Sequence, residues 1–255
     1  MQRLKGNFMS QTFTLADLLA AGLHFGHKTS KWNPKMKPYI YGVKQGIHII
    51  DLTKTQEQLE KALAFITKEV AAGKNILLVG TKDQVKEPLR RVAEATDMPY
   101  VTEHWLGGTL TNFFIIKNSI RKYKDILDKK RTGQLSKYTK KEQLEFDREL
   151  ARLEVGVGGL INLIKVPDVI FIWDIKREKT ALSEALKRHI PIVAICDTNT
   201  DPTGIAYPIP ANDDAIKGVE LILNAVEEAI LEGKKQREAA REIKQSVAAK
   251  KSITT

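Results

Sequence analysis

Residues 169–195 read VIFIWDIKREKTALSEALKRHIPIVAI, and this stretch decides the fold class. Its two ends, Val169–Trp173 and Ile190–Ile195, are continuous apolar runs that are rich in β-branched residues. Between them, Glu178–Arg188 has the spacing of a helix. Strands that are apolar on both sides, with a helix between them, are typical of a parallel sheet covered by helices on both faces.

The neighbouring segments continue the same alternation of strand and helix. Asn75–Val79 and Met98–Thr102 are further short apolar runs, and Gln84–Ala95 between them has helical spacing. Helices are also predicted from Thr53 to Ala72 and over Val219–Ile230, where the body closes. We therefore predict an α/β protein with an open, mostly parallel sheet flanked by helices.

The residues before this body contain shorter elements. A short helix is expected between Thr14, which is an N-cap residue, and Gly22, which stops it. Residues 24–38 contain two prolines and four lysines without helical periodicity, so we expect an extended basic loop. Residues 39–50 carry two apolar runs around a glycine-containing turn, which predicts a β-hairpin.

A helical insertion interrupts the body at residues 109–155. Its apolar residues recur every three or four positions in two seams, separated by a turn with a glycine. The first seam is Phe113, Ile116, Ile120, Tyr123 and Leu127, and the second is Phe146, Leu150, Leu153, Val157 and Leu160. Two short amphipathic helices with a short link should pair as an antiparallel coiled-coil hairpin, with Thr109 or Thr111 as the first N-cap.

The elements divide the chain into three parts. The α/β body is formed by residues 9–108 and 156–232, and the hairpin by residues 109–155. Residues 233–255 are basic and have few apolar side chains, so we expect a disordered tail or a frayed helix.

Composition excludes several classes of protein. The chain has 255 residues, of which 42% are hydrophobic and 28% charged, as in an ordinary folded protein. No apolar run is long enough for a signal peptide or a membrane helix. The single cysteine, Cys196, excludes an intramolecular disulfide and a four-cysteine zinc site. These features favour the cytoplasm.

The net charge is +10, and all of the excess positive charge lies in three segments. Residues 1–50 carry seven basic groups and one acidic group, residues 117–155 carry twelve and seven, and residues 232–255 carry seven and three. The rest of the chain is mildly acidic. Basic appendages on an acidic body indicate contact with a polyanion, and the alternative is a solvated charged surface.

The first basic segment also contains aromatic side chains. In residues 24–45, lysines alternate with Trp32, Tyr39 and Tyr41. Lysines neutralise phosphates and aromatic rings stack on unpaired bases, although Trp32 is equally suited to anchor a core. The block His104–Asn112, HWLGGTLTN, has paired glycines that indicate a hinge before the hairpin.

Patterns for enzymatic chemistry are weaker. Gly80-Thr81-Lys82 follows a strand but lacks the rest of a P-loop, and Gly156–Gly159 lacks the spacing of a dinucleotide site. Asp174, Asp197 and Asp201 follow strand ends, where α/β enzymes place acids, but roles in turns and caps fit them better.

Three histidines suggest a metal site as another alternative to RNA binding. His24 and His27 are three residues apart on a turn, and with His48 they are candidate metal ligands. A third or fourth ligand is not evident and Cys196 is distant in the sequence, so we favour packing on the body or stacking on RNA for them.

Several of these stretches occur in the same order in, and together resemble, the bacterial small-subunit ribosomal protein S2 family. They are Ala21–His27, Trp32–Met36, Ile47–Asp51, His104–Asn112, Pro167–Glu178, Glu184, Ile190-Pro191, Asp197–Asn199, Asp201-Pro202 and Ile209–Ile216. The resemblance covers about residues 9–232. Residues 1–8 precede the usual start, which makes Met9 a candidate initiator.

The resemblance implies a flavodoxin-like α/β domain with an inserted helical hairpin, held by ribosomal RNA on the solvent side of the small subunit, between its head and body. It implies that the protein assembles late and helps to retain ribosomal protein S1, which captures messenger RNA. The family has no catalytic residues, so none is assigned, and no cofactor or metal is expected.

We therefore expect a non-enzymatic, cytoplasmic constituent of the small ribosomal subunit. Its partners are ribosomal RNA and neighbouring ribosomal proteins including S1, with no membrane association and no homo-oligomer. The residues expected to bind RNA are Lys28, Lys31, Trp32, Lys35, Lys37, Tyr39, Lys44, Lys117, Arg121, Lys122 and Lys124. The alternatives are a nucleotide- or metal-binding enzyme on the same fold, and a protein-interaction scaffold with a coiled-coil arm.

Overall fold

The computed structural model describes residues 13–253, with side chains described through residue 242. Within that range the helices are α1 (Leu15–Ala20), α2 (Leu52–Ala71), α3 (Asp83–Ala95), α4 (Phe113–Arg131), α5 (Lys140–Val157), α6 (Lys179–Lys187) and α7 (Ile216–Ile253). The strands are β1 (Phe25–Lys28), β2 (Ile40–Lys44), β3 (Ile47–Ile50), β4 (Ile76–Val79), β5 (Tyr100–Val101), β6 (Val169–Ile172), β7 (Ile192–Cys196) and β8 (Tyr207–Pro210). The candidate initiator Met9 lies outside the described residues.

The main sheet has five parallel strands in the order β5-β4-β6-β7-β8. Numbered by their position in the chain, these strands run second, first, third, fourth, fifth, which is the flavodoxin-like order. The prediction of an α/β fold with a parallel sheet is confirmed.

Two hydrophobic cores cover the two faces of this sheet. In β4, Ile76 and Leu78 belong to the core under α2, α3 and α7, whereas Leu77 and Val79 belong to the core under α4, α5 and α6. All four side chains are fully buried. Alternate side chains of a strand point to opposite faces, so a strand between two cores must be continuously apolar.

The edge strand β8 was not predicted from the sequence. Its residues are Tyr207, Pro208, Ile209 and Pro210, and the two prolines remove backbone donors that an interior strand needs. At a sheet edge only one side of the strand is paired, here with β7, so the prolines are tolerated.

A second, antiparallel sheet has the order β1-β3-β2. It confirms the predicted hairpin, which turns at Gln45-Gly46 between β2 and β3. The expectation of an extended loop at residues 24–38 is wrong: this segment forms β1 and two 3₁₀ helices, Thr29–Lys31 and Pro34–Tyr39. Pro34 sits at the start of its helix, where its missing N–H costs nothing.

The insertion forms the predicted helical hairpin from α4 and α5, which turns at Gly133 with a φ of 70°. Ile116, Ile120 and Tyr123 are buried as predicted. The next buried residue is Ile126, three positions after Tyr123, whereas the predicted Leu127, four positions after it, is exposed. Steps of three and of four residues both keep a side chain on the same helix face, so spacing alone could not choose between them. The N-cap of α4 is Asn112, which replaces the expected Thr109 or Thr111.

The last helix continues through the boundary that we predicted at residue 233. A Cβ on Gly233 would come within 2.7 Å of the Thr67 carbonyl oxygen, so α7 packs closely on α2 at this point. The residues that follow are mostly good helix formers, and extending an established helix costs little. None of the described helices is both long enough and apolar enough to span a membrane.

Candidate nucleic-acid interface

Thr198, at the carboxyl end of β7, holds the antiparallel sheet β1-β3-β2, which we call the small sheet, and the segment that follows β1. The His27 backbone N–H donates to the Thr198 hydroxyl at 2.8 Å, and the Asn33 backbone N–H donates to the Thr198 carbonyl oxygen at 2.8 Å. The side-chain oxygen of Asn33 accepts from the Lys35 backbone N–H at 3.0 Å, and Met36 is fully buried. The basic segment is therefore held at several points.

Four lysines of this region are exposed and have no ion-pair partner among the side chains the structure describes. These small-sheet cations are Lys28, Lys31, Lys37 and Lys44. Lys35 differs, because its Nζ lies 2.7 Å from Asp201 Oδ2. Its hydrogen bond, with those from Thr203, lowers the pKa of Asp201 to about 2. Lys35 is thus already neutralised within the chain.

The hairpin cations divide in the same way. Lys117, Arg121 and Lys124 are exposed, and none of them pairs with an acid in the described part of the chain. Their spacing places them on one face of α4, which we call the α4 stripe. Lys122 instead pairs with Glu149 on α5. Four further exposed cations without a described partner are Lys137, Lys140, Lys141 and Arg148.

The aromatic residues of the basic segment have different environments. Tyr39 is half-buried against the second core, and its carbonyl oxygen accepts from the Asp51 N–H at 2.9 Å, so it anchors the segment. Tyr41 is 81% exposed. Trp32 is half-buried, and its ring centroid lies 4.9 Å from that of His48.

The carboxyl ends of the parallel strands carry a dense group of acids, which we call the acidic edge. Lys82 Nζ lies 3.1 Å from Asp174, 2.9 Å from Asp213 and 2.8 Å from Asp214. Burial lowers the pKa of Lys82, but the hydrogen bonds and charges of these acids outweigh it and leave the pKa above its ordinary value. Burial and the charges of Asp197 and Asp174 raise the pKa of Asp213 to about 7.

The acidic edge occupies the place where flavodoxin-like folds bind phosphate-bearing ligands. Its carboxylates would repel a phosphate, which argues against the nucleotide alternative. Asp174 accepts from the Lys176 N–H at 2.9 Å, and Asp201 from the Thr203 N–H at 2.9 Å. The predicted turn roles are confirmed for Asp174 and Asp201, whereas Asp197 is buried beside His27.

The histidines do not form the metal site that their spacing made conceivable. His27 alone approaches acids: its Nδ1 lies 3.1 Å from Asp197 Oδ1, and one ligand atom each of His27, Asp197 and Asp213 lie within 4.8 Å of one another. These three are the candidate metal ligands in the described chain, although Lys82 already contacts Asp213. The hydrogen bond with Asp197 raises the pKa of His27.

Glu184, which the sequence analysis named only within the family resemblance, joins the hairpin to the body, and sequence reasoning missed that role. Glu184 on α6 accepts hydrogen bonds from Trp105 Nε1 at 3.0 Å and from the backbone N–H groups of Gly108, Leu110 and Thr111 at 2.8, 3.0 and 3.0 Å. Burial raises the pKa of Glu184, but these donors outweigh it and lower the pKa overall. The signal was the hinge block itself, whose turn leaves N–H donors that need an acceptor.

Comparison with known proteins identifies a family that the sequence matches. The family model for ribosomal protein S2 matches residues 18–233. Relatives named small ribosomal subunit protein uS2 are 48% identical in Coprothermobacter proteolyticus, over 88% of this chain and 84% of that protein, and 49% identical in Nitratiruptor, over 88% and 84%. The relative of that name from Opitutus terrae is 44% identical over 89% of this chain and 76% of that protein.

Proposed function

The chain belongs to the ribosomal protein S2 family, and from that premise we propose that it is a structural, non-enzymatic constituent of the small ribosomal subunit in the cytoplasm. In this proposal the protein binds ribosomal RNA through the small-sheet cations and the α4 stripe. It also contributes to the docking of ribosomal protein S1.

The observation that carries RNA binding is the absence of ion-pair partners for these cations within residues 13–242. A lysine that is already paired must lose an internal contact before it binds a phosphate, whereas an unpaired lysine releases only counterions from the RNA. The small-sheet cations and the α4 stripe should therefore contribute most. Of the residues expected to bind RNA, Lys35 and Lys122 should contribute least, because each pairs with an acid.

Docking of S1 is supported by the charge of the rest of the body. Outside the basic segments the chain is mildly acidic, which makes that surface less suited to RNA. A protein partner suits that surface better than a nucleic acid does. Small subunits that contain this chain should retain S1 in a sucrose gradient, and subunits reconstituted without it should lose S1. Equal retention by both subunits would contradict S1 docking.

Sedimentation of a native lysate tests subunit membership. We expect the chain to migrate with the small subunit and to move to the top of the gradient after RNase digestion. Migration at the top before digestion would overturn the proposal, and co-migration that survives RNase would favour the protein-interaction scaffold.

A pair of charge-reversal variants tests the RNA surface. Lys31→Glu with Lys37→Glu removes two cations that have no ion-pair partner in the described chain. Lys54→Glu with Lys61→Glu changes net charge equally at lysines that pair with Glu57 on α2. The first variant should bind small-subunit RNA more weakly, with a salt slope lower by about two units. The control should bind almost as the wild type does. Equal binding by both variants would show that the RNA surface lies elsewhere.

A further inference from the structure

We propose that Trp32, supported by His48, is a stacking platform for one unpaired nucleobase of an RNA strand whose phosphates lie on the neighbouring lysines. This inference rests on the proposed RNA binding and deepens it, because it names a single-stranded base as the group that is recognised.

The three tryptophans of the chain have different environments. Trp105 is 6% exposed and donates its indole N–H to Glu184, and Trp173 is fully buried and donates to the Asp213 carbonyl oxygen at 3.0 Å. Both are core anchors with satisfied donors, as is usual for buried tryptophan. Trp32 is half-buried, and its indole N–H has no hydrogen-bond partner within the described part of the chain. It is therefore the tryptophan that is available to a ligand.

His48 supports the indole from the small sheet. It lies on β3, the central strand, and is only 7% exposed. Its ring is inclined by 35° to that of Trp32, so a face of the indole meets the imidazole. Neither ring nitrogen of His48 has a hydrogen-bond partner among the described groups, so packing alone determines how the two rings sit. The exposed part of the indole remains for another planar group.

The backbone on the C-terminal side of Trp32 is anchored. Asn33 is bonded through its N–H to Thr198, and its side chain caps the 3₁₀ helix that buries Met36. The indole therefore does not have to be ordered when a base arrives, which lowers the entropic cost of binding.

The charges around the platform favour a nucleic acid strand. Lys28, Lys31 and Lys37 are exposed and lie within five positions of Trp32 in the sequence. Aromatic rings beside a cationic surface bind single strands, because phosphates meet the cations while bases stack on the rings. In a duplex the bases are already stacked on one another, so the inference specifies an unpaired base.

Tryptophan emission of the full chain provides a direct test. Because Trp105 and Trp173 are buried, acrylamide should quench mainly Trp32. An adenosine oligomer of about 10 nucleotides should lower Trp32 emission and protect it from acrylamide, and an RNA duplex of the same strand should do neither. Unchanged emission and unchanged acrylamide access with bound oligomer would overturn the platform.

Variants separate stacking from charge. Trp32→Leu should weaken oligomer binding about 5- to 100-fold with an unchanged salt slope, and Trp32→Tyr should keep most of the affinity. His48→Phe should preserve the platform, whereas His48→Ala should leave Trp32 open to acrylamide even with the oligomer bound. Wild-type affinity in Trp32→Leu would also overturn the inference. Should that variant fold poorly, the wild-type emission measurement still decides.

The two proposals fail in different ways. If the oligomer and small-subunit RNA both bind with a normal salt slope but Trp32 is unaffected, the platform is wrong and RNA binding stands. If the wild-type chain binds neither RNA, the proposed RNA binding is wrong and the platform falls with it.

Discussion

The acidic edge and the small-sheet cations are both dense in charge, but their charges are balanced in different ways. At the acidic edge, one buried ammonium group on Lys82 contacts Asp174, Asp213 and Asp214 within 3.1 Å. The small-sheet cations have no such partners within residues 13–242. Yet Thr198 links the two regions through hydrogen bonds to His27 and Asn33.

This difference distinguishes charged groups that are needed for the stability of the fold from charged groups that are available to a binding partner. Removing one partner of a charge pair that is buried in the fold leaves the other charge uncompensated, and that loss should appear in the free energy of unfolding. A charge that is left unbalanced at the surface adds little to stability and is available to a partner. Substitutions in the two regions should therefore affect different measurements.

The largest effect is expected at the centre of the acidic edge. Lys82→Met removes the cation and leaves Asp174 and Asp213 buried without a balancing charge, which should destabilise the fold by about 3–5 kcal/mol. Urea denaturation would measure this loss. Lys54→Met, which removes an exposed lysine paired with Glu57, is the matched control and should cost less than about 1 kcal/mol. Equal losses in the two variants would break the comparison.

A smaller loss is expected where the body meets the hairpin. The Glu184 carboxylate accepts five hydrogen bonds, and in Glu184→Gln an NH₂ group that cannot accept replaces one of its oxygens. The donors left without an acceptor should destabilise the fold by about 2–3 kcal/mol. Amide hydrogen exchange should increase in Leu110 and Thr111 more than in β4. Glu220→Gln, which removes an exposed partner of Arg91, is the control. Unchanged exchange in the hinge would show that Glu184 does not hold the hairpin.

The sequence was sufficient for the sheet because both faces of its strands are buried. Ile76–Val79 and Val169–Ile172 are apolar without interruption, as a parallel sheet that is covered on both faces requires. It was insufficient for β8, because Pro208 and Pro210 are compatible with a strand only at an edge, and edge position is a tertiary property.

The candidate RNA surface could be located from the sequence but not ranked. The lysines were visible as a charged segment, yet Lys35 is paired with an acid 166 residues away and Lys122 with one 27 residues away. Glu184 joins groups 73 to 79 residues distant. Such pairings depend on the folded topology, which local spacing does not encode.

The pH dependence of stability sharpens the comparison further. The pKa of Asp213 in the folded protein is raised to about 7 from 3.8, so the folded state holds a proton that the unfolded state has released. Stability from this group is therefore greatest at low pH and falls as pH rises from about 4 to 7. Relative to Asp213→Asn, the wild type should lose about 1.4 kcal/mol for each pH unit of this range in urea denaturation. A parallel pH profile in the two proteins would contradict the raised pKa.

The smallest effects should separate two cations of α4. Arg121 has no ion-pair partner among residues 13–242, whereas Lys130 Nζ lies 2.8 Å from Asp147 across the hairpin. Arg121→Gln should lower the salt slope of binding to small-subunit RNA by about 0.9 and leave the urea midpoint unchanged, because one phosphate contact is lost. Lys130→Gln should keep the salt slope and destabilise the fold by less than about 1 kcal/mol. The two variants change net charge equally, so general electrostatics would alter RNA binding equally in both. A reversed or identical pattern would show that an internal ion pair does not decide which cations are available to RNA.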